Sequence, residues 1–207
     1  NPDVSYGSDG VDYRWCVAWE QPGTWGQEVY HRLMDGAASG APLTGAYAAT
    51  LLAAGVSTSE DCKNPAAAYD TVNDLWLLAY SFNDGVPKYH IKATAVDQSN
   101  LTGTEFDVTL SGGGAMQPAL DFDDVAQRFL VACKNGITIL LKEADALLEI
   151  ADSSQTVSGT NTYGKPAVAY NGTEFVVVFE DQTASEVLYV TVDFDGTPNL
   201  NIPSAKT

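Results

Sequence analysis

One motif occurs four times along this chain and limits its fold more than any other feature: a polar residue, a proline and, four residues after the proline, an aromatic ring. It reads NPDVSY from Asn1, NPAAAY from Asn64, QPALDF from Gln117 and KPAVAY from Lys165, so the rings are Tyr6, Tyr69, Phe122 and Tyr170. The prolines at 2, 65, 118 and 166 are spaced by 63, 53 and 48 residues. After each motif comes a short polar turn and a nearly unbroken apolar run: YRWCVAWE, LWLLAYSF, RFLVACKN and EFVVVFED. A third strand-like piece follows (QEVYHRLMD, YHIKATAVD, ITILLKEAD, EVLYVTVD), and then a looser fourth (ATLLAAGVST, EFDVTLSG, LEIADSSQTV, NLNIPSA). Four matches in one order define a repeat, and repeats of this length are single supersecondary units that bury their faces against one another.

The apolar runs decide what the unit is. Each is about five residues long and rich in Val and aromatic side chains, which suits a strand better than a helix. A strand with one wet face alternates apolar and polar residues, so a run apolar at every position predicts burial on both faces. Asn135-Gly136, between two apolar runs of the third unit, is a strong two-residue hairpin signal. The unit is therefore an antiparallel meander of three to four strands, stacked between its neighbours. Meanders stacked face to face in chain order, at about 40–50 residues each, are β-propeller blades. The first strands carry Ala66, Ala67, Ala68, Ala119, Ala167 and Ala169, small residues that suit the crowded strand nearest an axis. Their prolines sit at the strand start, where no ladder donor is needed.

The expected architecture is all-β: one β-propeller of four blades of mostly four antiparallel strands, at about 1–63, 64–116, 117–164 and 165–207. A closed four-blade ring is favoured over a portion of a larger propeller. The Ala/Gly-rich stretch 36–63 between the first two units is the best candidate for an elaborated loop or extra strand.

The combined pattern x-P-x-V-x-Y, F-L-V-V-[WF]-x-D and I-Y-x-x-x-V-D-x-x-G resembles the tandem β-propeller repeats of secreted and cell-surface bacterial and archaeal proteins, over essentially the whole chain. The last unit matches best, with Pro166, Val168, Tyr170, Phe175, Val177, Phe179, Asp181, Leu188, Tyr189, Val192, Asp193 and Gly196. The third departs most, lacking the third-strand Tyr and the Gly after Asp145. The matched residues are packing and turn positions. The resemblance thus implies a fold and an extracellular or cell-surface setting, and transfers no catalytic residue.

Composition narrows the partners. A formal charge of −17, with only 10 Lys and Arg, argues against nucleic acid, whose phosphates must be neutralised by cations. No window reaches the 18 or more apolar residues of a membrane span. The first residue is Asn, which suggests a processed N-terminus or a portion of a longer chain. Asp outnumbers Glu by 18 to 9, and short carboxylates are the natural caps of turns in a loop-rich fold.

Candidate sites are few. Asp193 and Asp195, at alternate positions before Gly196, begin a calcium-loop pattern but lack its further acidic ligand. Asp121, on a first strand, would line a cation site if it faced the axis. Cys16, Cys62 and Cys133 show no C-x-x-C spacing, and a Cys16–Cys62 disulfide is the one pairing considered. His31 and His90 fall in third strands and read as surface residues. Trp15, Trp19 and Trp76 lie in apolar second strands and read as core, whereas Trp25, in the Gly/Pro turn EQPGTWGQE, is the best single candidate for ligand contact. Asn100 and Asn171 each begin an N-glycosylation acceptor triplet, and Asn171 is also explained by its turn. No G-x-S-x-G, H-E-x-x-H or P-loop pattern exists. The leading expectation is a non-catalytic extracellular interaction module, binding a protein partner or serving a surface assembly. The alternatives are a glycan-binding, lectin-like propeller and a glycoside hydrolase with a carboxylate pair in its funnel.

Overall fold

A computed structural model of the chain describes residues 2–8, 13–24, 26–36, 49–54, 60–84, 89–109, 114–148, 150–157 and 159–192. Among the described residues the protein is all-β, and no helix is long and apolar enough to cross a membrane. The first sheet consists of β1 (Asp3–Ser8), β2 (Tyr13–Pro22), β3 (Gln27–Gly36) and β4 (Thr50–Ala53). The second holds β5 (Glu60–Asp70), β6 (Leu75–Asp84), β7 (Tyr89–Asp97) and β8 (Phe106–Asp107). The third holds β9 (Ala115–Asp123), β10 (Arg128–Asn135), β11 (Thr138–Asp145) and β12 (Ile150–Val157). The fourth holds β13 (Ala167–Tyr170), β14 (Phe175–Asp181) and β15 (Glu186–Val192). Each sheet is an antiparallel meander in strict chain order. The third sheet is fully four-stranded, although its sequence departs most from the repeat. Of the stretch 36–63, Thr50–Ala53 forms the edge strand of sheet 1, paired with β3, and the first residues of β5 begin at Glu60.

The repeat motif forms the inner strand of every sheet. β1 packs beside β5, β5 beside β9, and β9 beside β13, and the starts of all four strands line one narrow channel. Proline cannot donate to the ladder, so the x-Pro step leaves it as a bulge. The register of β5 on β6 slips between Lys63 and Ala66, and that of β9 on β10 slips opposite Gln117-Pro118. Asn64 and Gln117 adopt φ of 51° and 57° there. The freed amides are not wasted. Asn64 N donates to the Glu20 carboxylate at 2.9 Å and Gln117 N to the Ser81 hydroxyl at 3.0 Å, each acceptor lying on the second strand of the preceding sheet. In sheets 2 and 3 the x-Pro step therefore ties the inner strand to the preceding sheet.

The ring of the motif is equally specific. Tyr6 lies against Trp15, Tyr69 against Trp76, Phe122 against Phe129 and Tyr170 against Phe175, with centroids 4.8–5.0 Å apart and tilted planes, the geometry that aromatic pairs favour. The residue after the ring caps the turn. Asp70 accepts from Val72 N and Asn73 N, Asp123 from Val125 N and Ala126 N, and Asn171 from Thr173 N and Glu174 N, all at 2.8–3.0 Å. Sheet 1 has Gly7 at this position. A Cβ there would stand 2.5 Å from the Tyr69 ring and 2.6 Å from that of Trp76, so only glycine admits the close approach of sheet 1 to sheet 2. Asp97, Asp145 and Asp181 cap later turns in the same manner, which accounts for the excess of Asp over Glu.

The core is a series of inter-sheet layers. Cys16, Ala18, Leu33, Trp76 and Leu78 fill the layer between sheets 1 and 2. Leu77, Ala79, Ile91, Phe122, Phe129 and Val131 fill the next, and Leu130, Leu141, Phe175, Val177 and Val190 the third. Two expectations fail at the ends of the series. The runs of β2 and β14 are not covered on both faces, because no described sheet lies beyond them: Trp15 and Val178 are each 37% exposed, while their neighbours Cys16 and Val177 are fully buried. Trp15 is thus not core, Trp19 is half-buried, and Trp76 alone of the three is fully enclosed.

Candidate functional site

The inner strands give the channel two unlike mouths. At the strand starts it is ringed by Pro2, Pro65, Pro118 and Pro166, backed by Ala66, Ala67, Ala119 and Ala167, and encloses about 250 Å³. Most of that mouth's lining side chains are small and apolar, with Asp3 and Lys165 as the charged exceptions. At the strand ends the four motif rings Tyr6, Tyr69, Phe122 and Tyr170 converge around a cavity of about 350 Å³, together with Ser5, Thr71, Asp121 and Asp124. Rings in equivalent positions on four sheets, with hydroxyls and carboxylates between them, form a concave surface with convergent polar groups, the usual make-up of a small-molecule site. The repeat reads from sequence as a packing motif; in space its aromatic position also builds this mouth. Tyr6 is 44% exposed, whereas Tyr69 is 7% exposed and its hydroxyl is hydrogen-bonded to Asp74.

Inner strands are sheet edges, and their N–H groups need partners. Asp3 Oδ2 accepts from Ala67 N at 2.8 Å, and Asp121 Oδ2 accepts from Tyr170 N at 2.7 Å, each carboxylate reaching across to the neighbouring sheet. Asp121 Oδ1 also accepts from Phe122 N at 2.9 Å. Asp121 lines this mouth, where the two amides hold its oxygens in place. Asp124 stands exposed on the adjacent turn. Among the described residues no group of three or more His, Cys, Asp or Glu side chains gathers as a metal would require.

The other singled-out residues fall elsewhere. Trp25, Asp193 and Asp195 lie outside the described residues. The Cys16–Cys62 disulfide is not formed. All three cysteines are buried free thiols, with Cys16 in the layer around Leu33 and Trp76 and Cys62 in a separate cluster with Val29 and Tyr80. Burial pushes the thiols up, to about 12 for Cys62 and Cys133 and further for Cys16, so they are unreactive packing groups. His31 is not a surface residue: it is fully buried on β3, and desolvation lowers its pKa to about 4 against a smaller opposing effect of Asn100. His90 is half-buried. Asn100 is committed to the junction of sheets 1 and 2, accepting from Leu33 N at 3.3 Å and donating to Thr50 Oγ1 at 2.7 Å.

Two solved structures share this arrangement of sheets. The chain superposes on the Hadza microbial sialidase Hz136 with a TM-score of 0.67 at 8% identity, covering 96% of this chain and 44% of that one. It superposes on 1,3Gal43A, an exo-β-1,3-galactanase from Clostridium thermocellum, with a TM-score of 0.62 at 10% identity, covering 98% of this chain and 47% of that one. The chain thus spans less than half the length of either, and at such identities the likeness is one of fold. No protein-family model and no curated protein sequence matches the chain.

Proposed function

We propose that this chain is a glycan-binding β-propeller module of a secreted or cell-surface protein, and that the sugar sits in the tyrosine-lined mouth of the channel. The observation that carries this reading is that Tyr6 and Tyr170, the accessible members of four equivalent rings, line one cavity with Ser5, Thr71, Asp121 and Asp124. Sugar rings present flat apolar C–H faces and a rim of hydroxyls, which aromatic faces and polar acceptors complement. The two superposed structures are named for glycan-cleaving enzymes, which favours a sugar over the protein partner expected from sequence. In this reading the four sheets are consecutive blades, and completing the ring requires the exposed outer faces of sheets 1 and 4 to be covered.

A glycan array probed with the whole chain tests the proposal. Tyr6→Ala should weaken binding at least about tenfold, the loss expected for an aromatic anchor. An array without signal at high protein concentration would sink it.

Hydrolysis is the second reading, favoured by the two named enzymes and by the presence of two carboxylates at one mouth. Glycosidases need a general acid whose proton is held by burial. Asp124 is exposed, and Asp121 accepts two amides. Among the described residues, Glu105 is the carboxyl whose pKa is raised by burial; it is hydrogen-bonded by Tyr80 and Lys92 and is not among the residues that line the mouth. Binding without turnover therefore fits the mouth better, and release of reducing sugar from a glycoside panel would reverse that order.

A further inference from the structure

The charge of the mouth narrows the sugar. Among the described residues its lining holds Asp121 and Asp124 and no Lys, Arg or His. An acidic sugar would need cations or amide donors for its carboxylate, and three inner-strand amides of the channel are already engaged: Ala67 N with Asp3, and Phe122 N and Tyr170 N with Asp121. An ammonium group meets the opposite situation. It finds two carboxylates with acceptor capacity left and the ring faces of Tyr6 and Tyr170, which attract cations through their quadrupoles. The protein's −17 charge adds a field that repels anionic and gathers cationic ligands.

We infer that the mouth selects sugars bearing a free amino group and rejects carboxylated ones, with Asp124 as a specificity-determining residue. This rests on the glycan-binding reading and goes beyond it. Nothing in the likeness to a sialidase or a galactanase supplies it.

Calorimetric titration of the whole chain with three probes tests it: a β-1,4-linked glucosamine trimer, the same trimer fully N-acetylated, and sialyllactose. At about pH 6 the sugar amines are protonated, being below the usual range of an amino group. The amine trimer should bind about tenfold more tightly than its acetylated form at low salt, and the ratio should shrink as salt screens the carboxylates. Asp124→Asn should cost the amine trimer about fivefold more than it costs the acetylated one, with thermal melting used to confirm an intact fold. Equal binding of the two trimers, or binding of sialyllactose, overturns the charge selectivity and leaves the glycan-binding reading standing. If none of the three binds while the array is positive for other sugars, the selectivity alone fails. A silent array removes both.

Discussion

The second strands of the middle sheets and of the end sheets are alike in sequence and unlike in surroundings. Trp76–Tyr80 of β6 and Phe129–Cys133 of β10 are buried at every position, at no more than 1% exposure. Neighbouring residues alternate between layers: Leu130 faces sheet 4 and Val131 faces sheet 2. Trp15–Trp19 of β2 and Phe175–Phe179 of β14 are just as apolar, yet only alternate residues are enclosed. An apolar run therefore states that both faces are fit for burial. Whether both are buried depends on a neighbour that the run itself does not encode. The exposed residues Val4 and Trp15 on one end and Val178 and Val187 on the other mark two apolar sheet faces without a described partner.

The largest effect should come from a middle strand. Leu130→Ala removes a side chain enclosed between sheets 3 and 4 and should cost about 3 kcal/mol by denaturant titration, as transfer and cavity effects add. A cost below about 1 kcal/mol would mean that the layers are not close-packed and would erase the contrast with the ends.

A comparable effect should appear on acidification, at the inner face of an end sheet. His31 is buried at the junction of sheets 1 and 2, and burial lowers its pKa from 6.5 to about 4. The unfolded chain takes up the proton first. The stabilising contribution is therefore complete above about pH 6.5 and is lost as pH falls toward 4, amounting to about 3 kcal/mol. Stability measured from pH 7 to about pH 4 should fall less steeply in His31→Leu. An identical slope in both proteins would mean that the inner face of sheet 1 is wet.

Gly7→Ala probes the same junction sterically. Its Cβ would enter the Tyr69–Trp76 ring pair, and about 2 kcal/mol of destabilisation is expected from the overpacking. A neutral substitution would show that sheet 1 is not seated as closely as sheets 2 and 3 are.

What was legible from sequence follows the same division. The fourfold x-Pro motif marks the inner strands, Asn135-Gly136 marks the β10–β11 hairpin, and the Ala residues mark the crowded inner strands, because bulges, turns and crowding are local demands on single residues. The site was hidden for the opposite reason. Tyr6, Tyr69 and Tyr170 read as packing positions, since each does pack on the next strand's ring; their second role arises only when inner strands more than 40 residues apart meet at one mouth. The usable clue is the constant four-residue offset of each ring from its proline, which puts the rings at equivalent places on the four inner strands. His31 is buried rather than on the surface because the third strand of an end sheet still has one covered face.

The smallest expected effect discriminates best. Val131 and Val178 are the same residue on equivalent second strands, at 1% and 37% exposure. Truncating a buried Val to Ala forfeits about two methylene equivalents of burial, so Val131→Ala should cost about 2 kcal/mol and Val178→Ala about 0.5 kcal/mol or less. The ratio, read by paired denaturant titrations, reports on what covers the outer face of sheet 4 in solution. If Val178→Ala costs as much as Val131→Ala, that face is enclosed, and the end sheets are blades of a sealed ring like the middle ones. Fluorescence gives an independent reading from the other end. Trp15 should be open to acrylamide quenching while Trp76 is shielded, and loss of that difference would place a covering surface over sheet 1 as well.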